Sequence, residues 1–247
     1  RTGTPAFDEL IPRISRFLEQ DLLELNIDGE KIRGYRSPDA RSVWIRNYSD
    51  MMRALRYTET DLISVVKHFA DNQARNGRIF DYFTTFPEKQ PCERENWTKY
   101  VRTPVEADTE FRFIKAAWLA WQATGDDTFI RNLLPSFERA LAFVMEGRYF
   151  DREKYLFRRP YTIDTWDFAY TAGRHDWLQF QIDENTFWGY FHGDNSGYYE
   201  AFHYMSHWYS MFGDKVRSAL WRARALRLRK SLNTHCFNGS FYTHFVK

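Results

Sequence analysis

Carboxylates and aromatic rings are interleaved through YTIDTWDFAYTAGRHDWLQFQIDENTFWGYFHGDNSGYYE, residues 161–200, where most of the stretch shows no helical or strand period. Long connections without their own secondary structure are uncommon in compact domains, and those that occur are usually functional or disordered. Disorder does not suit this one, because Trp166, Phe168, Trp177, Phe180, Phe187 and Trp188 make it too apolar to stay solvated. Asp and Glu set among Trp and Tyr can do two kinds of work on a polyhydroxylated ring. The aromatic faces stack on its apolar faces, and the carboxylates hold hydroxyls or move protons. Composition alone leaves an ordered loop capping a core as an equal reading.

The elements that position such a loop come from a chain of 247 residues, enough for one domain with a sizeable core or for part of a larger one. With nine Trp, fifteen Tyr, twenty-two Phe and 28% charged residues, the expectation is a globular protein rather than a membrane one. No apolar run is long enough to span a bilayer. A net charge of +2 gives no general attraction to nucleic acid. Arg222, Arg224, Arg227, Arg229 and Lys230 read as the solvated face of a helix. Cys92 and Cys236 show no metal-ligand spacing, and neither a disulfide framework nor a cofactor is indicated. His203 and His207 stand four apart on a helical pattern, but outside an HExxH context they read as core or interior-lining residues and not as a metal site. The start at Arg1 is expected of a processed or partial chain, and the compartment is left open by sequons at Asn47, Asn96 and Asn238.

Helical periods fill most of the remainder. Phe7, Leu10, Ile11, Ile14, Phe17, Leu18, Leu22 and Leu25 form a one-faced stripe, predicting a surface helix that ends near Asn26 and Gly29. A turn-rich passage to Pro38 follows. VWIRNYSDMMRALRY then gives a helix with Tyr48, Met51, Met52 and Leu55 on one face, and Leu62, Val65, Val66, Phe69 and Ala70 form the next stripe. Residues 106–123 are apolar nearly all round, Gly125-Asp126 breaks the pattern, and Phe129, Leu133, Phe137, Leu141 and Val144 follow on one face. Residues 196–212 repeat the all-round pattern, Gly213-Asp214 breaks it, and Val216, Ala219, Leu220, Ala223 and Leu226 follow.

A helix apolar all round must be buried, whereas its one-faced successor can lie outside, so inner and outer helices alternate. Three hairpins and part of a fourth are legible, joined by long loops over residues 75–104 and 150–195 that belong at one end of the helices. Stacked hairpins of this kind bury a continuous face, and when they close into a ring the inner helices line a funnel. The tail from His235, with Gly239 among alternating aromatics, reads as a short strand or extended segment.

Inner-helix starts that carry VWIRN, VEADTEF and GDNSGYYEA, with a GD turn after two of them, resemble the six-hairpin glycosidase superfamily, the (α/α)6-toroid glycoside hydrolases. The WIRN stretch resembles a Trp-x-Arg-Asp substrate-binding motif, with Asn47 in the Asp position. DTWDF is similar to motifs of trehalase-like and glycogen-debranching-like members. The resemblance implies an all-α fold, a single partial toroid domain over residues 1–247, and a carbohydrate substrate. It implies Asp167 as general acid, with Asp164 in reserve, flanked by rings that raise a carboxyl pKa. It implies substrate-binding roles for Trp44, Arg46, Asn47, Trp97, Trp166, Asp194, Asn195 and Tyr198, although helix capping competes for Asp194 and Asn195, and rim packing for the aromatics.

The second catalytic carboxylate and the remaining hairpins are then expected from the rest of a parent chain. An incomplete ring is also expected to expose the inner face around Tyr204, Trp208 and Met211. Two other readings stand beside this one: a toroid lyase or epimerase using His or Tyr as base, and a non-catalytic helical scaffold that binds a partner on its concave face.

Overall fold

The computed structural model describes residues 2–27, 29–36, 42–84, 100–102, 106–160, 186 and 188–247. Its N-terminal helices are α1 (Pro5–Asp8) and α2 (Leu10–Asp21). The predicted stripe stops short here, because Leu22 and Leu25 belong to a strand. β1 (Leu22–Ile27) pairs antiparallel with β2 (Glu30–Tyr35), with Ile27 opposite Glu30 across a two-residue turn. Gly29 supplies the positive φ, +88°, that this turn requires. LLELNI can alternate across a strand as well as wind in a helix. The hairpin buries Ile27, Ile32 and Tyr35, whereas Phe7, Leu10, Ile11, Ile14 and Phe17 on α1 and α2 face solvent.

Three helices then run side by side as an inner row. They are α3 (Ile45–Leu55), α5 (Thr109–Thr124) and α7 (His192–Met211), with α5 packed between the other two. Gly197 makes the α5–α7 approach possible, since a Cβ there would stand 2.3 Å from the Phe111 ring. Outside the row lie α4 (Ser64–Asp71), α6 (Asp127–Glu146) and α8 (Lys215–Cys236). α6 packs on α5 and α8 on α7, as the hairpin reading expects, while α4 is short and leans on β2 and α5. The GD turns do what their residues allow. Gly125 and Gly213 take positive φ, and Asp126 and Asp214 accept the backbone N–H of Phe129 and Arg217, each at 2.9 Å.

Stacked rings join these helices: Trp208 of α7 lies on Phe137 of α6 with centroids 5.2 Å apart, and Tyr204 of α7 on Trp118 of α5 at 4.3 Å. Trp208 is therefore fully buried, contrary to the expectation of an open face there. Only Met211 of the three named residues is exposed. On α8 the stripe differs from the expected one. Val216, Ala219, Leu220, Ala223 and Leu226 are exposed, and Trp221, Ala225, Leu228, Leu232 and Cys236 are buried. Both sets have helical spacing, and the face carrying the large indole removes more apolar area from water.

The fold is helix-rich but not all-α, since short antiparallel sheets sit at the starts of the inner helices. β3 (Ser42–Trp44), β4 (Tyr82–Thr84) and β5 (Tyr100–Val101) form one. β6 (Phe150–Asp151) and β7 (Leu156–Phe157) form a hairpin. β8 (Arg159–Pro160), β9 (Trp188–Phe191) and β10 (Phe245–Val246) form a third sheet, in which the C-terminal tail pairs as an edge strand. β3 runs directly into α3 and β9 into α7, so these sheets fix where the first turns of the inner helices lie.

Candidate functional site

The first turns of the three inner helices converge on one charged network. Arg46 is the second residue of α3, Asp108 precedes the first residue of α5, and Asp194 is the third residue of α7. Glu106 lies just before Asp108, and Arg159 comes from β8. Arg46 donates to Glu106 and, at 2.9 Å, to Asp108. Arg159 grips Asp194 with both arms of its guanidinium, Nε to Oδ2 at 2.6 Å and Nη2 to Oδ1 at 2.7 Å. The same Nη2 stands 3.8 Å from Asp108 Oδ1, which links the two halves, and Arg112 approaches Asp108 at 3.4 Å from the other side. Helix starts present unpaired backbone N–H groups and the positive end of the helix dipole, so carboxylates collect there at little cost.

Burial and charge push these acids in opposite directions. Burial pushes the Glu106 carboxyl up to about 7, against the pull of Arg46 and with the help of Asp108. Burial opposes the ionisation of Asp108 as well, but Arg46, Arg159 and Arg112 together outweigh it and hold that carboxyl well below its usual range. Glu106 is thus the more easily protonated of the two, while Asp108 favours its ionised form. Asp194 is raised by burial, which the clamp by Arg159 only partly offsets. Two neighbouring acids with separated pKa values offer a proton donor and an acceptor within one cluster.

Backbone ties hold this arrangement. The carbonyl of Asp81 accepts the Ile45 N–H at 2.8 Å, fixing the entry to α3. Tyr198 is fully buried, donates its hydroxyl to the Ala107 carbonyl, and stacks on Phe157 at 3.7 Å. Asn195 is fully buried too. Its Oδ1 accepts the Phe157 N–H at 2.7 Å, and its Nδ2 donates to the carbonyls of Phe157 and Phe191, each at 2.9 Å. These two residues, expected to bind substrate, are occupied as supports that lock α7 to β7, to β9 and to the turn holding Glu106.

Of the other expected residues, Arg46 and Asp194 are brought together by the network, and Asn47 lies half-buried beside Arg46. Trp44 is half-buried, its ring 4.1 Å from that of Tyr82. Asp164, Trp166, Asp167 and Trp97 lie outside the described residues. Glu106, Asp108 and Arg159 were not singled out from the sequence, although Glu106 and Asp108 stand in VEADTEF. Their signal was position: an acidic pair opening an inner helix, in the same place as Arg46 and Asp194 on the neighbouring helices. Among the described residues no group of three or more His, Cys, Asp and Glu has metal-site geometry. His203 and His207 are exposed on α7, His207 with its ring edge against Trp118. Among the described residues no helix is long and apolar enough to cross a membrane.

No family model matches the chain, and no curated protein does either. Solved structures do. An α-L-rhamnosidase from Dictyoglumus thermophilum superposes with a TM-score of 0.50 at 15% identity, over 83% of this chain and 20% of that one. A metal-independent α-mannosidase of Streptococcus pneumoniae, described in connection with the processing of N-linked glycans and in complex with α-1,6-mannobiose, superposes with a TM-score of 0.63 at 12% identity, over 94% of this chain and 59% of that one. The chain therefore spans less than two thirds of the length of either protein, and at these identities the likeness is one of fold.

Proposed function

We propose that the chain is a large part of the catalytic domain of a glycoside hydrolase, a toroid of inner and outer helical hairpins in which the inner-helix starts form the sugar-binding floor. The observation that carries this reading is the network of Glu106, Asp108 and Asp194 with Arg46 and Arg159, built from the starts of three adjacent inner helices. Sugar hydroxyls need fixed donors and acceptors side by side, and glycosidic cleavage needs carboxyls in different protonation states. Support comes also from the shared fold with two glycosidases.

In this reading Asp167 delivers the proton to the leaving oxygen, Asp164 positions, and Trp44, Arg46, Asn47, Trp97, Trp166 and Asp194 hold the sugar. The second catalytic carboxylate belongs to hairpins supplied by the rest of the parent chain. The test uses the full-length protein with aryl and alkyl α-mannosides and α-L-rhamnosides as first probes. Asp167→Asn should lower turnover by several orders of magnitude on alkyl glycosides and much less on activated aryl ones, because only a poor leaving group needs a proton. Equal losses on both would remove Asp167 as general acid. Absence of hydrolysis across a broad panel of glycosides would favour the non-catalytic scaffold.

A further inference from the structure

Beside the carboxylate network lies a second cluster of charge that the proposed chemistry does not use. Arg102, which follows β5, Asp81, which precedes β4, and Glu110, the second residue of α5, are all buried. Arg102 Nη1 stands 3.2 Å from Glu110 Oε1 and 3.4 Å from Asp81 Oδ1. Both acids are held in turn: Asp81 Oδ1 accepts the Thr109 hydroxyl at 2.7 Å, and Glu110 Oε1 accepts the Ile79 N–H at 3.2 Å. Apolar residues of similar volume in place of a buried ion cluster often leave a protein as stable or more so, which makes stability a weak reason for having one. Fixing a register is its best-attested use.

The register at stake is that of the segment carrying Glu106 and Asp108. Arg102 Nη1 donates to the Ile79 carbonyl at 3.0 Å, and Nη2 donates to the Glu106 carbonyl at 2.8 Å and to Glu110 Oε2 at 3.3 Å. The next carbonyl, that of Ala107, accepts the buried Tyr198 hydroxyl from α7. Two consecutive carbonyls are therefore fixed by buried donors, one of them a planar fork that is itself anchored by charge. With the backbone so held, the side chains of Glu106 and Asp108 both meet Arg46. The charged groups facing the Glu106 carboxyl are Arg46 of α3, Asp108, Arg159 of β8 and Asp81, with Asp194 of α7 clamped on the far side of Arg159.

We propose that Arg102 is a positioning residue for this network: anchored by Asp81 and Glu110, it clamps the Glu106 backbone, while Tyr198 clamps the residue after it, and together they keep the Glu106 carboxyl buried against Arg46 and Asp108. The inference rests on the glycosidase reading for its catalytic consequence alone. Its physical consequence is independent of any substrate. Burial is the chief cause that raises the Glu106 carboxyl, so a segment released from its clamp lets that carboxyl reach water and return towards its ordinary value near 4.5. Lysine in place of Arg102 keeps the charge and loses the fork, so it changes position without changing the sum of charges.

The test titrates the Glu106 carboxyl by carbon-13 NMR in the full-length protein labelled at glutamate, its resonance identified by its loss in Glu106→Gln. In the parent the midpoint is expected at about 7. Arg102→Lys should bind that proton about tenfold or more weakly, a downward shift of roughly one unit. Tyr198→Phe, which removes a single oxygen and no charge, should shift it in the same direction by about twofold to threefold. If Arg102→Lys does not fold, Tyr198→Phe decides. A Glu106 midpoint in the deciding variant that equals or exceeds the parent's overturns the proposal, even if Tm has fallen, because the cluster then supports the fold without placing the carboxyl. Where the parent hydrolyses a glycoside, Arg102→Lys should lower kcat more than it raises KM. Hydrolysis with an unmoved midpoint would leave the glycosidase reading standing and this proposal overturned, whereas a lowered midpoint in a protein without hydrolysis would do the reverse.

Discussion

Glu59 and Glu106 are both buried glutamates beside an arginine, yet their carboxyls move in opposite directions. Burial pushes each of them up. Around Glu59 it is overcome by a cradle of fixed donors: the Tyr35 hydroxyl at 2.5 Å, Arg33 Nε at 3.2 Å, and the backbone N–H groups of Thr60 and Asp61 at 2.7 and 3.0 Å. These hold its carboxyl at about 2. Glu106 has Arg46, but Asp108 competes for the same guanidinium and adds like charge, so burial prevails. The comparison separates a structural acid from a chemical one. An acid with complete donors is a clasp between β2 and the α3–α4 turn, whereas an acid that keeps its proton near neutrality is a candidate for chemistry.

The largest expected effect is that of Arg46→Leu. It takes away the cation that hydrogen-bonds both Glu106 and Asp108, and breaking a buried pair by removing one partner costs roughly 3–5 kcal/mol. It should also push the Glu106 carboxyl further up, since Arg46 is the chief force drawing it down. Urea denaturation at pH 7 reads the first effect and pH titration of the carboxyl the second. A loss under about 1 kcal/mol would place the network with solvated surface pairs and dissolve its contrast with the clasp.

Glu59→Gln comes next. A carboxyl lowered on folding contributes stability above its unfolded value, near 4.5, and loses it as pH falls towards about 2. The variant should be less stable than the parent by about 2 kcal/mol at pH 7, with the gap closing in acid. A gap that stays constant from pH 7 to pH 2.5 would mean that the side-chain shape matters and the charge does not.

What the sequence made legible follows the same division between complete and incomplete local signals. On α5 and α6 apolar residues, the Gly125-Asp126 stop and the buried face agree, and the reading of inner and outer helix stands. On α8 two stripes of equal spacing compete, and only the tertiary partner α7 decides that Trp221 goes in and Val216 stays out. Leu22–Asn26 has a helical period and a strand alternation together, and pairing with Glu30–Tyr35 decides between them. The short sheets at the inner-helix starts pair residues far apart in sequence, as Phe245 with Phe191 and Val246 with Tyr190, and no local window contains that information. The site behaves likewise. Arg46 and Asp194 stood out as types at helix starts, but their partners Glu106, Asp108 and Arg159 became members only when three helices and β8 were brought side by side.

The smallest effect expected of the three, and the one of opposite sign, belongs to Glu106→Gln. A carboxyl raised on folding binds more protons in the native state than in the unfolded one between its two pKa values, so the contribution of Glu106 to parental stability declines as pH rises from about 4.5 to about 7 and is level beyond. Glutamine cannot titrate. Asp108 does not blur the window, because its carboxyl is lowered and its contribution changes only in stronger acid. The variant should therefore gain on the parent by on the order of 1–2 kcal/mol between pH 5 and pH 8, less than the full shift would give, because water and side chains relax around a buried charge. Where Glu59→Gln weakens the protein at neutral pH, Glu106→Gln should leave it as stable or more so, and in the enzyme reading it should lose activity all the same. Denaturation of both variants and the parent at pH 5, 6, 7 and 8 draws the curves. If the Glu106→Gln difference is flat across that range, Glu106 is ionised throughout, and it joins Glu59 as a clasp.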